Sequence, residues 1–237
     1  MIEESEIILV NRIGKAISIG GVGGLEFITE GESTWTATSS STKTTGSFDV
    51  QAGDILVACM ISEDNTASGA LTASDSDANG WTQQQDVSNA GRTRLVISTA
   101  VAAGSGSITA TVTRTNVDGT ISFGINVLVF RNSGGVGTSN KDDNVTGDAS
   151  LTLTGVLANS IIVQAIGDWN AIDGSSATFN ESSAGTFIQT AYGGTPGNDY
   201  QIYVGYYEDV GSAGNKTVGM LTPDGMAWAI AAVEIQA

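Results

Sequence analysis

The sequence predicts an all-β protein, and three observations support this prediction. The second half repeats the first, since residues 53–132 and 159–237 open and close with similar apolar segments. Residues 95–113 align with 203–221 without a gap. Short apolar runs alternate with turns rich in glycine, asparagine and aspartate, and no segment longer than about ten residues has a convincing helical period. These features predict a β-sandwich built from two sequence-similar halves.

The repeat occupies about residues 43–132 and 146–237 of a β domain that spans 35–237. We expect the two copies to cover each other as facing or interleaved sheets of one sandwich, because each copy has an apolar face to bury. Two separate small domains are the alternative. The polar, glycine-rich stretch 134–148 is expected to be a connection. The predicted strands are 46–50, 55–61, 82–87, 94–100, 108–113 and 121–131, followed by 150–154, 160–167, 186–191, 201–209, 216–221 and 226–236.

Residues 1–34 lie outside this repeat and are interpreted as an N-terminal arm. A glycine cluster at 20–24 separates two short apolar pieces, which is typical of a flexible linker. We expect the arm to add a strand to a sheet edge of another subunit, and the alternative is an edge strand of its own chain. The expected partner-binding residues are Ile7, Ile8, Leu9, Val10, Leu25, Phe27 and Ile28.

Charge and composition exclude several function classes. With 25 acidic and 9 basic residues, the net charge of −16 disfavours binding to nucleic acid or to an anionic membrane surface. No run approaches a membrane span, and the acidic start lacks the pattern of a secretory signal. A serine-, threonine- and glycine-rich β protein without an export signal suggests a virion protein assembled in a host cytoplasm. The single cysteine, Cys59, is expected to be a buried small hydrophobe.

Candidate catalytic and metal-binding groups are few. The absence of histidine excludes Ser-His-Asp and Cys-His arrangements. A loop at 75–80 faintly resembles the start of a calcium loop, and 142–144 is a second acidic loop, but both are better explained as solvated turns. We therefore predict no catalytic residue, no cofactor and no metal. The carboxylates that a glycosidase-like pair would need are Glu63, Asp64, Asp168, Asp173, Glu208 and Asp209.

Aromatic residues are concentrated in the second copy. Tyr203 and Tyr207 share one face of a predicted strand, and Trp169 is near them in sequence. This face is interpreted either as a platform for sugar rings or as sheet packing, and packing is favoured.

The order of these motifs resembles β-sandwich modules of tailed-phage structural proteins and of some bacterial surface proteins. The residues that carry the resemblance are Gly53-Asp54-Ile55-Leu56-Val57-Ala58, Gly80-Trp81-Thr82, the strand-turn-strand at 95–113, and terminal strands that bear Phe123 and Trp228. It covers about residues 43–237. The resemblance implies a jelly-roll-like sandwich that decorates capsids or forms fibre and tail appendages, and it carries over no catalytic residue.

The sequence thus predicts a non-enzymatic capsid decoration or cement protein. Its expected partners are the major capsid protein or another virion protein, and copies of itself, with a trimer favoured. The alternative is a tail, fibre or carbohydrate-binding adhesion module.

Overall fold

The structure confirms the predicted all-β class. It is a computed structural model that describes residues 24–63, 69–89, 92–117, 119–169, 176–194, 200–225 and 227–237. The first half of the chain forms β1 (Glu26–Glu32), β2 (Ala37–Thr38), β3 (Thr42–Thr44), β4 (Phe48–Val50), β5 (Ile55–Ser62), β6 (Leu71–Asp75), β7 (Thr82–Ser88), β8 (Arg94–Val101), β9 (Gly106–Ile108), β10 (Ala110–Arg114) and β11 (Ile121–Arg131). The second half forms β12 (Gly135–Asn144), β13 (Ser150–Val156), β14 (Ile161–Trp169), β15 (Thr178–Phe179), β16 (Phe187–Gly194), β17 (Tyr200–Tyr207), β18 (Gly214–Thr222) and β19 (Ala227–Gln236).

Each half contains one large and one small antiparallel sheet. In the first half the large sheet has the order β1-β11-β5-β8-β7, with β2 beside β11, and the small sheet has the order β3-β10-β6. In the second half the corresponding orders are β12-β19-β14-β17-β16 and β13-β18-β15. Strands β4 and β9 form a further pair in the first half. The strand order of the large sheet is therefore the same in both halves, and β1 and β12 occupy matching edges.

The central strands are buried along almost their whole length because both faces of each large sheet are covered. Every residue of β5 and of β17 is buried. Successive side chains of a strand point to opposite faces. In β5, Val57 and Ile61 therefore face a core shared by both halves, whereas Leu56 and Met60 face a core enclosed by the small sheet of the first half.

Four layers and three cores result from this arrangement. The large sheets of the two halves pack face to face around the central core, and a small sheet covers the outer face of each. The large sheets thus cover each other's inner faces, and each half also closes a second core of its own.

The two large sheets pack face to face across the central core. Ile61 of β5 lies against Gly167 of β14, where an added Cβ would come within 3.1 Å of the Ile61 side chain, and these positions match in the two halves. At one side of the interface β7 contacts β12 and β19, and at the other side Phe27 of β1 stacks on Tyr206 of β17 with ring centroids 4.8 Å apart. The two sides of the interface therefore differ, since β7 packs on two strands of the second half at one side and an aromatic pair lies at the other.

The strand pairing shows that the gapless sequence alignment of the two repeats is shifted by one residue in β8 and β17. In β8 and β17 the hydrogen-bonded register matches Tyr203 with Val96, whereas the alignment matches it with Leu95. A slip of one residue moves a side chain to the opposite face of a sheet. Leu95 lies in the central core, but Val96 lies in the core of its own half, as Tyr203 does.

Two segments expected to lie outside the sheets are edge strands. The predicted connection 134–148 contains β12, and the described part of the predicted arm contains β1. The sequence concealed β12 because its outer residues are polar and exposed, so the strand lacks an apolar alternation. The described residues 24–34 are therefore part of a sheet of their own chain, which was the alternative to an arm.

Trp35 lies between the two halves. Its ring fills the space above Gly124 of β11, where an added Cβ would come within 2.6 Å of the indole. An added Cβ on Gly193 of β16, in the other half, would come within 2.8 Å of the Trp35 Cβ. The indole Nε1 donates to Glu32 Oε1 at 2.6 Å. Both glycines are required here by the close approach of one side chain rather than by backbone conformation.

Glu234 links the edge strand β12 to the rest of the second half. Its carboxylate accepts hydrogen bonds from the backbone N–H groups of Leu157 (2.7 Å) and Thr138 (3.0 Å) and from the Ser160 hydroxyl (2.8 Å). The carboxylate occupies the space next to Gly137 in which a Cβ would lie. A bulge interrupts the register of β12 between Val136 and Ser139, so this part of the strand bends around the buried carboxylate.

We expect Gly137→Ala to lower the free energy of unfolding by about 1–3 kcal/mol, because the new methyl group overpacks the Glu234 site. Urea unfolding followed by tryptophan fluorescence measures this loss. Asp143→Ala, at an exposed position of the same strand, is the matched control and should change stability by less than about 0.5 kcal/mol. Equal stability of the two variants would contradict the role assigned to Glu234.

Candidate functional site

The residues expected to bind a partner divide into two groups. Leu25 and Phe27 pack against the central core, and Ile28 packs against the core of the first half. The Phe27 ring contacts Tyr206 (4.8 Å between centroids) and Phe130 (5.8 Å). These three residues are partly buried and pack on their own chain, where β1 pairs with β11, and their binding to a partner stays a prediction. Ile7, Ile8, Leu9 and Val10 lie outside the described residues.

The preceding segment joins the fold beside a charged pair. The Gly24 carbonyl accepts a hydrogen bond from Asn132 Nδ2 at 3.3 Å. Arg131, at the end of β11, donates to both carboxylate oxygens of the buried Asp54 at 2.9 and 2.8 Å. Residues 51–54 and 131–133 line an open pocket of about 270 Å³ here. Any surface formed by residues 1–23 therefore begins at this end of the sandwich.

The proposed sugar platform is not exposed. Tyr203 and Tyr207 have no solvent-accessible surface and belong to the core of the second half. The Tyr207 hydroxyl donates to the Gly219 carbonyl at 3.3 Å and to Gln164 Oε1 at 3.4 Å. The packing interpretation is therefore the right one for both tyrosines, and their assignment to a glycan site is wrong.

Trp169 lies where the two halves meet. The guanidinium of Arg92, from the first half, lies 5.6 Å from the centre of its ring, and the Tyr200 ring lies 6.4 Å from it. Trp169 is partly buried and packs against the central core. A sugar stacking on this indole would compete with Arg92 for the ring face, so the structure gives the glycan interpretation little support here.

The interior of the second half contains an acid in an apolar setting. Asp168 of β14 is fully buried between Gln201 of β17 and Trp228 of β19, its partners in the ladders. Burial raises the pKa of its carboxyl to about 8, and a hydrogen bond with the Tyr203 hydroxyl opposes this rise. The carboxyl is therefore neutral at pH 7.

Two of the other candidate acids lie far from Asp168. Glu208 and Asp209 follow the far end of β17, seven or eight residues beyond Gln201, which places them more than about 20 Å away along the strand. Asp64 and Asp173 lie outside the described residues. Glu63 follows β5, and its charge raises the pKa of Tyr200 after the larger effect of burial. Glu208 and Asp209 are therefore too far from Asp168 to form a glycosidase-like pair with it.

The loop at 75–80 is a turn organised by one side chain. Asp75 Oδ1 accepts hydrogen bonds from the backbone N–H groups of Asp77 (2.8 Å) and Asn79 (3.2 Å), and Asp75 Oδ2 accepts one from Trp81 Nε1 at 2.7 Å. These bonds use the carboxylate to order the turn. The second acidic segment, 142–144, lies in β12 rather than in a loop. Burial raises the pKa of Cys59 within the central core, which agrees with a packing role.

A comparison of the two halves shows which interior positions are polar in the second half but not in the first. The positions that match Gln164, Asp168, Tyr203 and Tyr207 are occupied in the first half by Ala58, Ser62, Val96 and Ala100. At these four positions of one core, the second half has polar groups where the first half has small or apolar ones. This signal was present in the sequence, but the alignment that was out of register by one residue in β17 concealed it.

The chain matches no protein-family model, no curated protein and no solved structure. In the part of the chain that the structure describes, no helix is long and apolar enough to cross a membrane.

We expect Tyr203→Ala to lower the free energy of unfolding by about 3–5 kcal/mol, because it leaves a cavity in the core of the second half. Trp169→Ala should cost less, because that ring is only partly buried. Chemical unfolding monitored by circular dichroism compares the two variants. Tyr203→Phe, which keeps the ring, is the control for lost volume. A Tyr203→Ala variant as stable as the wild type would show that the ring is not a core residue.

Proposed function

We propose that the protein is a non-enzymatic structural component of a virion, in which it decorates the capsid surface and attaches through residues 1–23. In this proposal residues 24–237 are the exposed body of the decoration. The apolar segment 7–10 makes the contact, by adding a strand to a sheet edge of a capsid subunit or of a second copy.

The observation that supports this assignment is how the described part uses its apolar surface. Apolar side chains on both faces of both large sheets are buried in the three cores. Within the described ranges, few large hydrophobic residues remain exposed, and they lie on different elements. They are Val101, Val117, Val145, Leu157 and Leu221. With few exposed apolar side chains on this body, a stable attachment is best supplied by the apolar residues that precede β1.

Charge supports the same division of roles. The chain carries a net charge of −16 and no histidine. An acidic body stays soluble and is repelled by other acidic surfaces, so it suits the outside of a particle better than contact with nucleic acid. Two of the nine basic residues, Arg12 and Lys15, fall in residues 1–23, which makes this segment less acidic than the body.

Strand β1 belongs to the large sheet of the first half, so a truncation that tests this proposal must leave β1 in place. A truncation at residue 34 would remove β1 together with Phe27 and so damage the central core. The informative truncation therefore removes only residues 1–23. We expect the full chain to be an oligomer by light scattering and the chain that starts at Gly24 to be a folded monomer. Ile8→Asp should reproduce the effect of the truncation, and Ser5→Asp is the matched control for added charge.

Location is tested on particles purified from a lysate of the source strain. Immunogold labelling with antibodies against residues 24–237 should mark the particle heads. Labelling of tails or fibres would support the tail or fibre alternative instead. Particles without any label would overturn the virion proposal, and particles whose label survives removal of residues 1–23 would overturn attachment through this segment.

A further inference from the structure

Asp168 differs from the other buried carboxylates of this protein in its surroundings. Asp54 is paired with Arg131, and Glu234 accepts two backbone N–H groups and a serine hydroxyl. Within the described residues, neither Asp168 oxygen accepts from a cation or a backbone N–H. A buried carboxylate without such donors is costly to ionise, whereas a neutral carboxyl is tolerated.

The groups around Asp168 offer little to a negative charge. On β17, the uncharged Gln201 pairs with it, and the Tyr203 hydroxyl is its hydrogen-bonding neighbour. On β19 its partner is Trp228, and from β16 the Tyr192 hydroxyl donates to Gln201 Oε1 at 2.7 Å. The small sheet contributes Phe179, whose ring lies 6.1 Å from that of Tyr203.

The other ionisable groups nearby approach from the central core, on the opposite face of the sheet. The buried Tyr200 hydroxyl interacts with the charges of both Asp168 and Glu63, and each raises its pKa in addition to the effect of burial. Arg92 covers Trp169, which follows Asp168 in the chain but points to the other face.

We propose that Asp168 is a proton-controlled switch in the second half, whose loss of a proton opens the local structure around β14, β17 and β19 while the first half stays closed. The first half lacks the switch because Ser62 occupies the matching position. This inference does not depend on the virion proposal, since it concerns the body of the protein alone.

The sign of the effect follows from proton linkage. In the open state the Asp168 carboxyl has an ordinary pKa near 3.8, and in the closed state its pKa is about 8. Between these values the closed state holds one proton more, so the opening equilibrium constant rises by up to about tenfold per pH unit. Below about pH 4 the closed state keeps its full stability, and above about pH 8 the loss is complete.

Hydrogen–deuterium exchange tests this proposal with the full-length protein at pH 5, 6, 7, 8 and 9, with labelling times scaled to the intrinsic exchange rate. We expect peptides that cover β14, β17 and β19 to lose protection as the pH rises to 8, while peptides that cover β5, β8 and β11 keep theirs. Asp168→Asn should abolish this pH dependence, because its amide is neutral at every pH. Asp142→Asn, at an exposed position, is the matched control and should behave as the wild type.

A second variant and the contribution of Lys43 help to interpret this test. Tyr203→Phe removes the hydroxyl that favours the ionised form, so it should move the midpoint of the pH response upward and provides a readout even if Asp168→Asn does not fold. Lys43 in the first half has a pKa lowered by burial to about 8, so its contribution changes above pH 8, with the opposite sign, and is the same in every variant. A pH response that is equal in wild type and Asp168→Asn, or equal in both halves, would overturn the proposal.

Discussion

The rest of this structure depends on one packing constraint, which is that two large sheets must each be covered on both faces. A single repeat can cover only one face of its large sheet with its small sheet. The remaining face is apolar, and the other repeat covers it. This requirement explains why β5 and β17 are apolar at nearly every position rather than alternating, and why little apolar surface is left for outside partners.

The same constraint determines how much of the fold is predictable from the sequence. Strands with two buried faces, such as β5 and β11, are continuous apolar runs, and the predicted bounds of β11 coincide with the observed ones. The edge strand β12 has no such run, since much of it faces solvent. Strand β1 was assigned to an arm because it lies before the detectable repeat. Contacts between distant elements decide such edges, and a single sequence does not display them.

The candidate site was less predictable than the fold, and the reason is geometric. Tyr203 and Tyr207 were correctly placed on one face of one strand, but periodicity alone does not say whether that face meets solvent or a second sheet. From the sequence, Asp168 was one of several candidate acids, whereas its burial depends on Gln201 and Trp228, which lie 33 and 60 residues further along the chain. The difference between Asp168 and the matching residue of the first half is visible only when the two halves are aligned by their strand pairing.

The covalent link between the halves, residues 132–134, has a consequence for how such a protein can change. In a dimer of identical subunits every substitution occurs twice, so a buried acid would impose its cost on both sides of the interface. Joining the two copies in one chain removes this obligation. One half can have an interior without ionisable groups, with Ser62 and Val96. The other half can carry ionisable groups, Asp168 and Tyr203, at the matching positions. The chain thus has two halves with the same strand order, and each half can change without a matching change in the other.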